Sequence, residues 1–594
     1  MRLKFNELLV RFLVWRMRYI SNDNFVILLS GIVGVVAGFA AVSLKGSVHV
    51  IHEFLSHTIT GTAGINFLFL VYPLVGILLT VGISKFIFKE RLGHGITQIL
   101  YFISRKSSVV KQSLMYSRMI TSAITVGFGG SVGLEAPIVV TGSAIGSNLA
   151  RLTHLNYKKR TLLIACGAAG AISAIFNSPI AGVIFAIEVI LTDVTINKFI
   201  PILISSVTGS LISMSLQADE MLFSFKLTDP FLAEHAHYYI FLGIFCGIVS
   251  VHFTRLTYLV EDLVHKIKND WNRALLGGLG LALIILVFPS IYGEGYSVIK
   301  QLLIGNDEII FRNTLIYGVT DQTILIIILL FAILVIKPVA SALTIGSGGS
   351  GGIFAPSLFM GGIAGYLFAR TINYALPVSI STSNFTLVGM CGVMSGVLHA
   401  PLTAIFLIAE ITGGYTLFVP LMLVSAIAYM TINYFEPYSL YTKSLVEKGD
   451  LIQHNKDKQV LREINIRKLI ESDFHPIKYD ALLEDLVPLI KKSKRNLFPV
   501  LNYVGGLEGV ITLHEIREII FESDARQRII VKEIMQLPPA EIDPKDTMEM
   551  VMSKFEVTQA WNLPVIENGK YLGMLSKSTI FNAYRNKLIH QDKE

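Results

Sequence analysis

An ionisable carboxylate stands among glycines in the string GSVGLEAP, residues 130–137, within a long apolar part of the chain. Charged side chains are costly inside a membrane and usually mark a functional position there. Gly130, Gly133 and the helix-breaking Pro137 surround Glu135, which is expected to lie at the start of a helix. Free amides and the helix dipole attract anions at a helix start. Glu135 is therefore predicted to gate an anion site, plugging it when ionised and opening it when protonated or displaced.

The same pattern occurs a second time. GSGGIFAP (349–356) aligns with GSVGLEAP (130–137), and HAPLTAIFLIAE (399–410) aligns without gaps with NSPIAGVIFAIE (177–188). These matches indicate an internal duplication. In transporters, paired segments broken by glycine and proline mark the substrate site. Two helix starts, one from each repeat, are expected to hold a dehydrated anion without any lysine or arginine, because a full cation would bind it too tightly to release it.

Composition places most of the chain in lipid. The chain has 594 residues, of which 52% are hydrophobic and 16% charged, against about 25% charged residues in soluble domains. Charges are concentrated after about residue 440, which indicates a soluble domain behind a membrane domain. The predicted boundaries are a basic N-terminal segment 1–23, a membrane domain 24–436, a linker 437–463, and two soluble halves, 464–524 and 525–588.

The net charge and the three cysteines indicate which kinds of partner and metal site to expect. The net charge is +7, and several of the positive charges lie in the N-terminal segment, which the positive-inside rule places in the cytoplasm. Residues 1–19 have one acid, Glu7, against the cations Arg2, Lys4, Arg11, Arg16 and Arg18. Nucleic acid is not predicted as a partner. Cys166, Cys246 and Cys391 stand in apolar context without metal-ligand spacing, so buried thiols and no metal site are predicted.

These strings, in this order, resemble those of CLC-family chloride channels and chloride/proton antiporters. GLEAP (133–137) is similar to the family's G-(R/K)-E-G-P, and GGIFAP (351–356) to its G-x-F-x-P. GHGIT (93–97) stands where the family has G-S-G-I-P, and YSLYTKSLVEKG (438–449) resembles the segment that supplies the pore tyrosine.

The soluble tail also repeats. NLFPVLNYVGGLEGVITLHEIREII (496–520) and NLPVIENGKYLGMLSKSTIFNAY (562–584) each read as a strand, a glycine-containing turn, a second strand and a helix. The pattern resembles a tandem pair of cystathionine-β-synthase (CBS) domains, which accompany many family members.

The resemblance implies a fold and a function. The fold class is an all-α polytopic membrane domain with an inverted internal repeat, followed by an α/β tandem CBS domain. The function is transport of chloride or a similar small monovalent anion, with protons as a second candidate substrate and no cofactor. A homodimer with one pore per subunit is expected in the lipid of the cell (inner) membrane, with the N-terminus and the CBS domains in the cytoplasm.

The resemblance also assigns the anion contacts. The amides of Ile353 and Phe354 and the Tyr441 hydroxyl are expected to bind the central anion. The amides of Leu134 and Ala136, with Ala355, are expected to line an outer position.

The sequence departs from the family's motifs at three positions near the expected site. His94 replaces the central serine, Thr97 replaces a proline and so weakens the expected helix start, and Leu134 replaces the basic residue before the gate. Two interpretations of His94 stay open: its amide contacts the anion beside an imidazole that titrates near neutral pH, or its ring points away from the pore. The preference for chloride over other anions is open for the same reason.

Proton coupling depends on another departure. Glu188 fits the first acid of the helix that carries protons in the family's antiporters, and Val189 replaces the internal acid that follows it. Glu188 and its repeat mate Glu410 are predicted to bind backbone amides, and Asp193 is a candidate substitute acid. Valine carries no proton, so a channel-like or weakly coupled pathway is favoured, and a strict antiporter with a substitute proton path is the alternative.

The CBS pair is predicted to bind adenine nucleotide weakly. Nucleotide-binding CBS repeats place an acid after the last strand, and the matching residues here are Glu515 and Thr579, of which only Glu515 is an acid. A packing and dimerising module is the favoured interpretation.

Three rival functions are weighed against the anion pathway. A CBS-regulated divalent-cation channel would need several membrane carboxylates, whereas the evident ones are Glu135, Glu188 and Glu410. For an intramembrane enzyme, the sequence offers no HExxH and no paired aspartates on membrane helices, and the string GGSGG (348–352) lacks a partnered base. A pure sensor would leave the duplicated motifs without a role. An enzyme is therefore not predicted.

Overall fold

Long apolar runs with few charges form helices that dominate the chain as far as residue 447. Of the helices that the structure describes, eight are long and apolar enough to cross a membrane. The chain divides into two units, Met1–Leu451 and Ile452–Glu594. The computed structural model describes residues 11, 14–16, 18–59, 68–90, 93–191, 196–216, 230–310, 314, 323–450 and 464–593.

The first unit consists of two halves with the same order of helices. The first half comprises α1 Asn22–Ile59, α2 Leu68–Ile83, α3 Gly95–Arg105, α4 Ser117–Gly127, α5 Glu135–Leu152, α6 Tyr157–Phe176, α7 Pro179–Phe185 and α8 Ile196–Leu216. The second half comprises α9 Ala236–His265, α10 Asp270–Val287, α11 Tyr296–Leu303, α12 Thr323–Gly346, α13 Phe354–Ala375, α14 Thr382–Leu398, α15 Pro401–Ile411 and α16 Phe418–Phe435. A short helix, α17 Lys443–Glu447, follows them.

Packing repeats between the halves. Helix α5 packs against α6 as α13 packs against α14, and the equivalent helices α7 and α15 contact each other. Prolines begin both of these short helices, Pro179 in α7 and Pro401 in α15, where the missing amide costs no hydrogen bond. The predicted duplication is therefore present in the fold.

Glycine allows the closest helix contacts in each half. A Cβ atom on Gly142 would lie 2.1 Å from the Gly167 carbonyl oxygen, and one on Gly361 would lie 2.4 Å from that of Gly389. Small residues of this kind let backbones approach closely where lipid supplies no hydrophobic drive between helices. The three cysteines are buried thiols, as predicted.

The second unit contains five short strands. Strands β1 Ile477–Lys478, β2 Leu497–Leu501 and β3 Leu507–Thr512 form one sheet, with β1 parallel and β3 antiparallel to β2. Strands β4 Asn562–Glu567 and β5 Lys570–Ser576 form an antiparallel pair. The helices of this unit are α18 Leu483–Lys492, α19 Ser523–Arg528, α20 Val531–Ile534, α21 Met548–Thr558 and α22 Lys577–Lys593.

In each soluble half, a segment that precedes the strands pairs with a strand of the other half. Glu471, which precedes the first sheet, exchanges two backbone hydrogen bonds with Met574 of β5, at 2.8 and 3.0 Å. Gln536, which precedes the second pair of strands, does the same with Val510 of β3, at 2.8 and 2.9 Å. Ile464 is correspondingly buried in the core of the second half. The halves predicted as 464–524 and 525–588 are thus interleaved.

Candidate functional site

Glu135 begins helix α5, and only 1% of its surface is exposed. The Tyr296 hydroxyl donates a hydrogen bond of 2.6 Å to its Oε1. Oε2 completes no well-formed hydrogen bond with a described residue, although the amides of Ala355 and of Glu135 itself lie close enough to stabilise its charge. A buried carboxylate oxygen at two converging helix starts occupies the kind of position that an anion would take.

Gly133 makes room for that carboxylate. A Cβ atom on Gly133 would lie 2.0 Å from Glu135 Oε2 and 2.7 Å from the Ala355 Cβ. Any other residue there would therefore push the acid or helix α13 out of place. The glycine that the sequence singled out is needed for close approach.

The residues expected at the central position are buried together with this acid. Ile353 is the N-cap of α13 and Phe354 its first residue, and neither is exposed to solvent. Tyr441 is 2% exposed, and its hydroxyl finds no hydrogen-bond partner among the described residues. The charge of Glu135 acts on that hydroxyl. A buried donor without a partner is what an anion ligand requires.

At the expected outer position, in contrast to the Tyr441 hydroxyl at the central one, the Leu134 amide already has a hydrogen-bond partner within the protein. The Leu134 amide donates a hydrogen bond of 3.2 Å to Oε1 of Glu294. Ala136 is buried, and a Cβ atom on Gly352 would lie 2.6 Å from its Cβ. The sequence analysis did not find Glu294 or Tyr296.

A buried lysine contacts the first glycine string, and the expectation that the anion itself is held without lysine or arginine stays a prediction. Lys337, in α12, is fully buried and donates hydrogen bonds to Ser131 Oγ at 2.8 Å and to the Ile291 carbonyl at 3.4 Å. Its ammonium also lies 4.7 Å from the centre of the Phe359 ring. Ser131 belongs to the first glycine string, so the lysine lies directly behind it. A buried ammonium is tolerated here because hydrogen bonds and a ring face replace its water.

His94 has a carboxylate partner. It is the N-cap of α3, and its Nε2 lies 2.9 Å from Oε2 of Glu261, which is itself buried. The ring is thus engaged with an acid that the sequence analysis did not consider. Helix α3 begins at Gly95 despite the missing proline, and Thr97 donates a hydrogen bond of 2.9 Å to the Tyr441 carbonyl. This bond ties the helix to the tyrosine segment.

GHGIT (93–97) has an equivalent in the second half, GEGYS (293–297). A Cβ atom on Gly95 would meet Val140 of α5 at 2.6 Å, and one on Gly295 would meet Phe359 of α13 at 2.4 Å. Val140 and Phe359 hold the same place after their glycine strings, so the two Gly-x-Gly turns are equivalent. The repeated Gly-x-Gly pattern was the signal that would have found Glu294 and Tyr296.

Glu188 binds backbone amides, as predicted. It accepts hydrogen bonds from the amides of Leu402 and Thr403 at the start of α15, at 3.1 and 2.8 Å, and from the Thr403 hydroxyl at 2.7 Å. Its carboxylate therefore caps a helix of the other half.

Glu410 makes the reciprocal contact, which also confirms its predicted role. It accepts from the amides of Ile180 and Ala181 at the start of α7, at 2.9 and 2.8 Å. Val189 is partly buried and packs against the apolar core. Asp193, the candidate substitute acid, lies outside the described residues.

The two CBS residues are both engaged within the protein. Oε2 of Glu515 accepts from the Thr512 amide at 2.9 Å, and the Thr579 hydroxyl bonds to Glu471 and to Ser576. A cavity of about 460 Å³ in this unit is lined by other residues: Ile464, Asn465, Ile466, Arg467, Pro544, Asp546, Thr547 and Met548. The structure therefore does not bring Glu515 and Thr579 to this cavity.

Metal binding has no visible site in the described part of the chain. No group of three or more His, Cys, Asp or Glu side chains among those residues is placed to hold an ion.

Comparison with known protein families identifies the family to which the chain belongs. Residues 75–433 match the family described as voltage gated chloride channel, and residues 531–586 match the CBS domain. The first match covers more than half of the chain, so the chain belongs to the voltage gated chloride channel (CLC) family.

Individual relatives agree with this assignment. The chain is 26% identical to the chloride channel protein CLC-f of Arabidopsis thaliana, over 83% of this chain and 69% of that protein. It is 27% identical to the H(+)/Cl(-) exchange transporter ClcA of Vibrio parahaemolyticus, over 68% of this chain and 85% of that protein. A crystal structure of a slow cyanobacterial Cl-/H+ antiporter superposes with a TM-score of 0.61 at 21% identity, covering 72% of this chain and 99% of that one. The predicted fold class is confirmed.

Proposed function

We propose that this chain transports chloride or a similar small monovalent anion across a membrane, through one pathway per subunit that Glu135 gates. The observation that carries the proposal is the buried Glu135 carboxylate at the start of α5, close to the Ala355 amide, with its Oε2 making no hydrogen bond to a described residue. An ionised carboxylate and a permeating anion compete for the same amides, so the acid must be protonated or displaced before the anion passes. The relatives named as chloride channel and H(+)/Cl(-) exchange transporter support the choice of anion.

Tyr441 and the start of α13 form the proposed central position. The tyrosine hydroxyl is buried and without a partner in the described part of the chain, and Ile353 and Phe354 present a helix N-terminus. These groups are neutral donors. A site of partial charges binds an anion and still lets it leave, which transport requires.

Proton coupling is proposed to be weak. Val189 stands where the family's antiporters carry an internal acid, and an apolar side chain supplies neither a proton site nor a partner for water. Glu188 and Glu410 are committed to backbone amides. Strict chloride/proton exchange through another route is the competing candidate, supported by the exchanger among the relatives.

The remaining proposals concern assembly and place. The chain is proposed to form a homodimer in the cell (inner) membrane, with the N-terminus and the CBS unit on the cytoplasmic side. The CBS pair is proposed to act as a packing module that binds adenine nucleotide weakly, because Glu515 and Thr579 already have partners within the protein.

Purified protein in liposomes tests the transport proposal. Chloride efflux and proton movement are recorded together under an outward chloride gradient. Chloride efflux with little proton uptake is expected. Uphill proton uptake at a fixed ratio to chloride would replace the channel-like pathway by the exchanger, and the absence of anion flux under all gradients would overturn the transport proposal itself.

A further inference from the structure

A second carboxylate contacts the start of the Glu135 helix. Oε1 of Glu294 accepts the hydrogen bond from the Leu134 amide at 3.2 Å. Leu134 is the N-cap of α5 and directly precedes Glu135. The amide bound here is one of those expected to hold an anion in the outer position. A carboxylate oxygen therefore takes the place of that anion.

Glu294 lies among other charged groups. The charges of Glu135, Lys45 and Lys337 all act on it, and Tyr296, two residues later, binds Glu135 at 2.6 Å. Lys337 donates its hydrogen bonds to Ser131 and to the Ile291 carbonyl rather than to either of the two carboxylates. Two carboxylates and one buried ammonium thus share a small region. The two carboxylates are close enough for their charges to interact.

We infer that Glu294 is a second gate in series with Glu135, whose carboxylate occupies the outer anion position by accepting the Leu134 amide. This inference rests on the transport proposed above. An anion that approaches the Leu134 amide must displace Glu294 before it reaches Glu135. Because the ionised acids repel each other and the anion, protonation of either one favours entry.

A helix cap without a gating role makes a different prediction. The side-chain oxygen of a glutamine accepts the Leu134 amide as well as a glutamate oxygen does, but carries no charge. Glu294→Gln therefore preserves a cap and removes a gate. If Glu294 only caps the helix, the Gln variant will bind and transport chloride as the parent does.

Chloride binding and flux separate the two roles. Full-length protein is titrated with chloride by calorimetry, and flux from liposomes is followed against pH, for the parent, Glu294→Gln, Glu135→Gln and the double variant. Glu294→Gln is expected to bind chloride about tenfold more tightly, since one charge next to the site is removed, and to shift the pH profile of flux toward higher pH. Glu135→Gln is expected to retain only a small part of the pH dependence, from Glu294, and the double variant is expected to lose that part as well.

The control variants distinguish a failure of the second-gate proposal from a failure of the transport proposal. Glu308→Gln removes an exposed carboxylate from the turn after α11 and is expected to match the parent. If Glu294→Gln has the parent's affinity and pH profile while Glu135→Gln alters flux, the second gate is overturned and the transport proposal stands. If neither the parent nor Glu135→Gln carries anions, the transport proposal fails instead.

A shorter side chain covers the case of a poorly folded Gln variant. Glu294→Asp keeps the charge but withdraws the carboxylate from the Leu134 amide. Chloride binding several-fold tighter than in the parent is expected, with pH dependence retained. An affinity equal to the parent's in a monodisperse Asp variant would also overturn the second gate.

Discussion

Gly133 and Gly352 exchange two backbone hydrogen bonds, each 2.9 Å long, across the middle of the membrane unit. The two glycines hold the same place in their repeated strings, so equivalent groups give and receive identical bonds. An exchange of this kind defines a local two-fold relation between the halves. The pair fixes the start of α5, which carries Glu135, against the start of α13, which carries Phe354. The site is therefore built from both repeats.

Glu135→Gln tests the first gate. A glutamine has the size of the protonated acid, so chloride flux at neutral pH is expected to rise to the level that the parent reaches in acid, with most of its pH dependence lost. Flux from liposomes across a pH series measures this. An unchanged pH profile in the variant would assign the gate to another residue.

Tyr441→Phe tests the central position. One neutral hydrogen bond is worth about 0.5–1.5 kcal/mol, so chloride affinity measured by calorimetry is expected to fall roughly two- to tenfold. Thermal stability should stay close to the parent's, because the hydroxyl has no described partner within the protein to lose. Tyr438→Phe is the matched control. A loss of affinity in the control alone would move the pore tyrosine to position 438.

Glu410→Gln tests the capping role of the paired acids Glu188 and Glu410. A glutamine oxygen replaces a charged acceptor of two amides, and the expected loss of stability is about 1–3 kcal/mol. The unfolding temperature of the detergent-solubilised variant measures it. Because the acid caps a helix, the pH profile of transport should match the parent's. A shifted profile at unchanged stability would show that Glu410 titrates during transport.

The exposed ion pair of Asp473 and Arg495 is expected to make a small, pH-dependent contribution to the stability of the soluble unit. Hydrogen bonds from Arg495, at 2.9 and 3.2 Å, lower the pKa of the Asp473 carboxyl, and the arginine charge adds to the effect. A carboxyl whose pKa is lower in the folded state stabilises the fold above its unfolded value of about 3.9. That contribution is lost as the pH falls through the folded pKa.

The variant Asp473→Asn has no carboxyl at this position and therefore lacks this stabilising contribution at every pH. Hydrogen exchange in the peptides of β1 and β2, measured on the full chain, is expected to be slightly faster than in the parent at pH 7. The difference should vanish in acid. Equal exchange at both pH values would mean that the exposed ion pair contributes nothing, as many surface pairs do.

Adenine nucleotide is expected to bind the CBS unit weakly. Thr579 is not an acid and its hydroxyl is bonded to Glu471 and Ser576, so one of the two ribose contacts is missing. Calorimetry with ATP on the full chain is expected to give a dissociation constant well above the micromolar range. Thr579→Asp restores the acid and should tighten binding. Micromolar affinity in the parent would contradict this prediction.

Repetition explains how far the sequence alone predicts this molecule. The glycine strings and the proline-led helices align without gaps, so they predicted the duplicated helical domain, Glu135 and the paired roles of Glu188 and Glu410. GEGYS shares little more than its glycines with GHGIT, and the intervals to the two glycine strings differ in length. Glu294 and Tyr296 were therefore overlooked, although both contact the site.

Lys337 and the interleaved CBS segments were hidden for other reasons. Lys337 lies inside the apolar run TILIIILLFAILVIKPVASALTI, where the total hydropathy of the segment outweighs a single charge. Only the three-dimensional contact with Ser131 gives it a role. The crossing of Glu471 and Gln536 into the opposite halves depends on long-range strand pairing, which local patterns do not encode.

The reciprocal caps of Glu188 and Glu410 bear on the order in which the protein is made. The first half emerges from the ribosome well before α15, so Glu188 has no amides of Leu402 and Thr403 to bind during that interval. The amides at the start of α7 likewise have no Glu410 carboxylate to bind until α15 has been synthesised. Polar groups in that state are costly within lipid. The nascent first half is therefore incomplete as an inserted structure, and it reaches its final packing only when the second half has been synthesised.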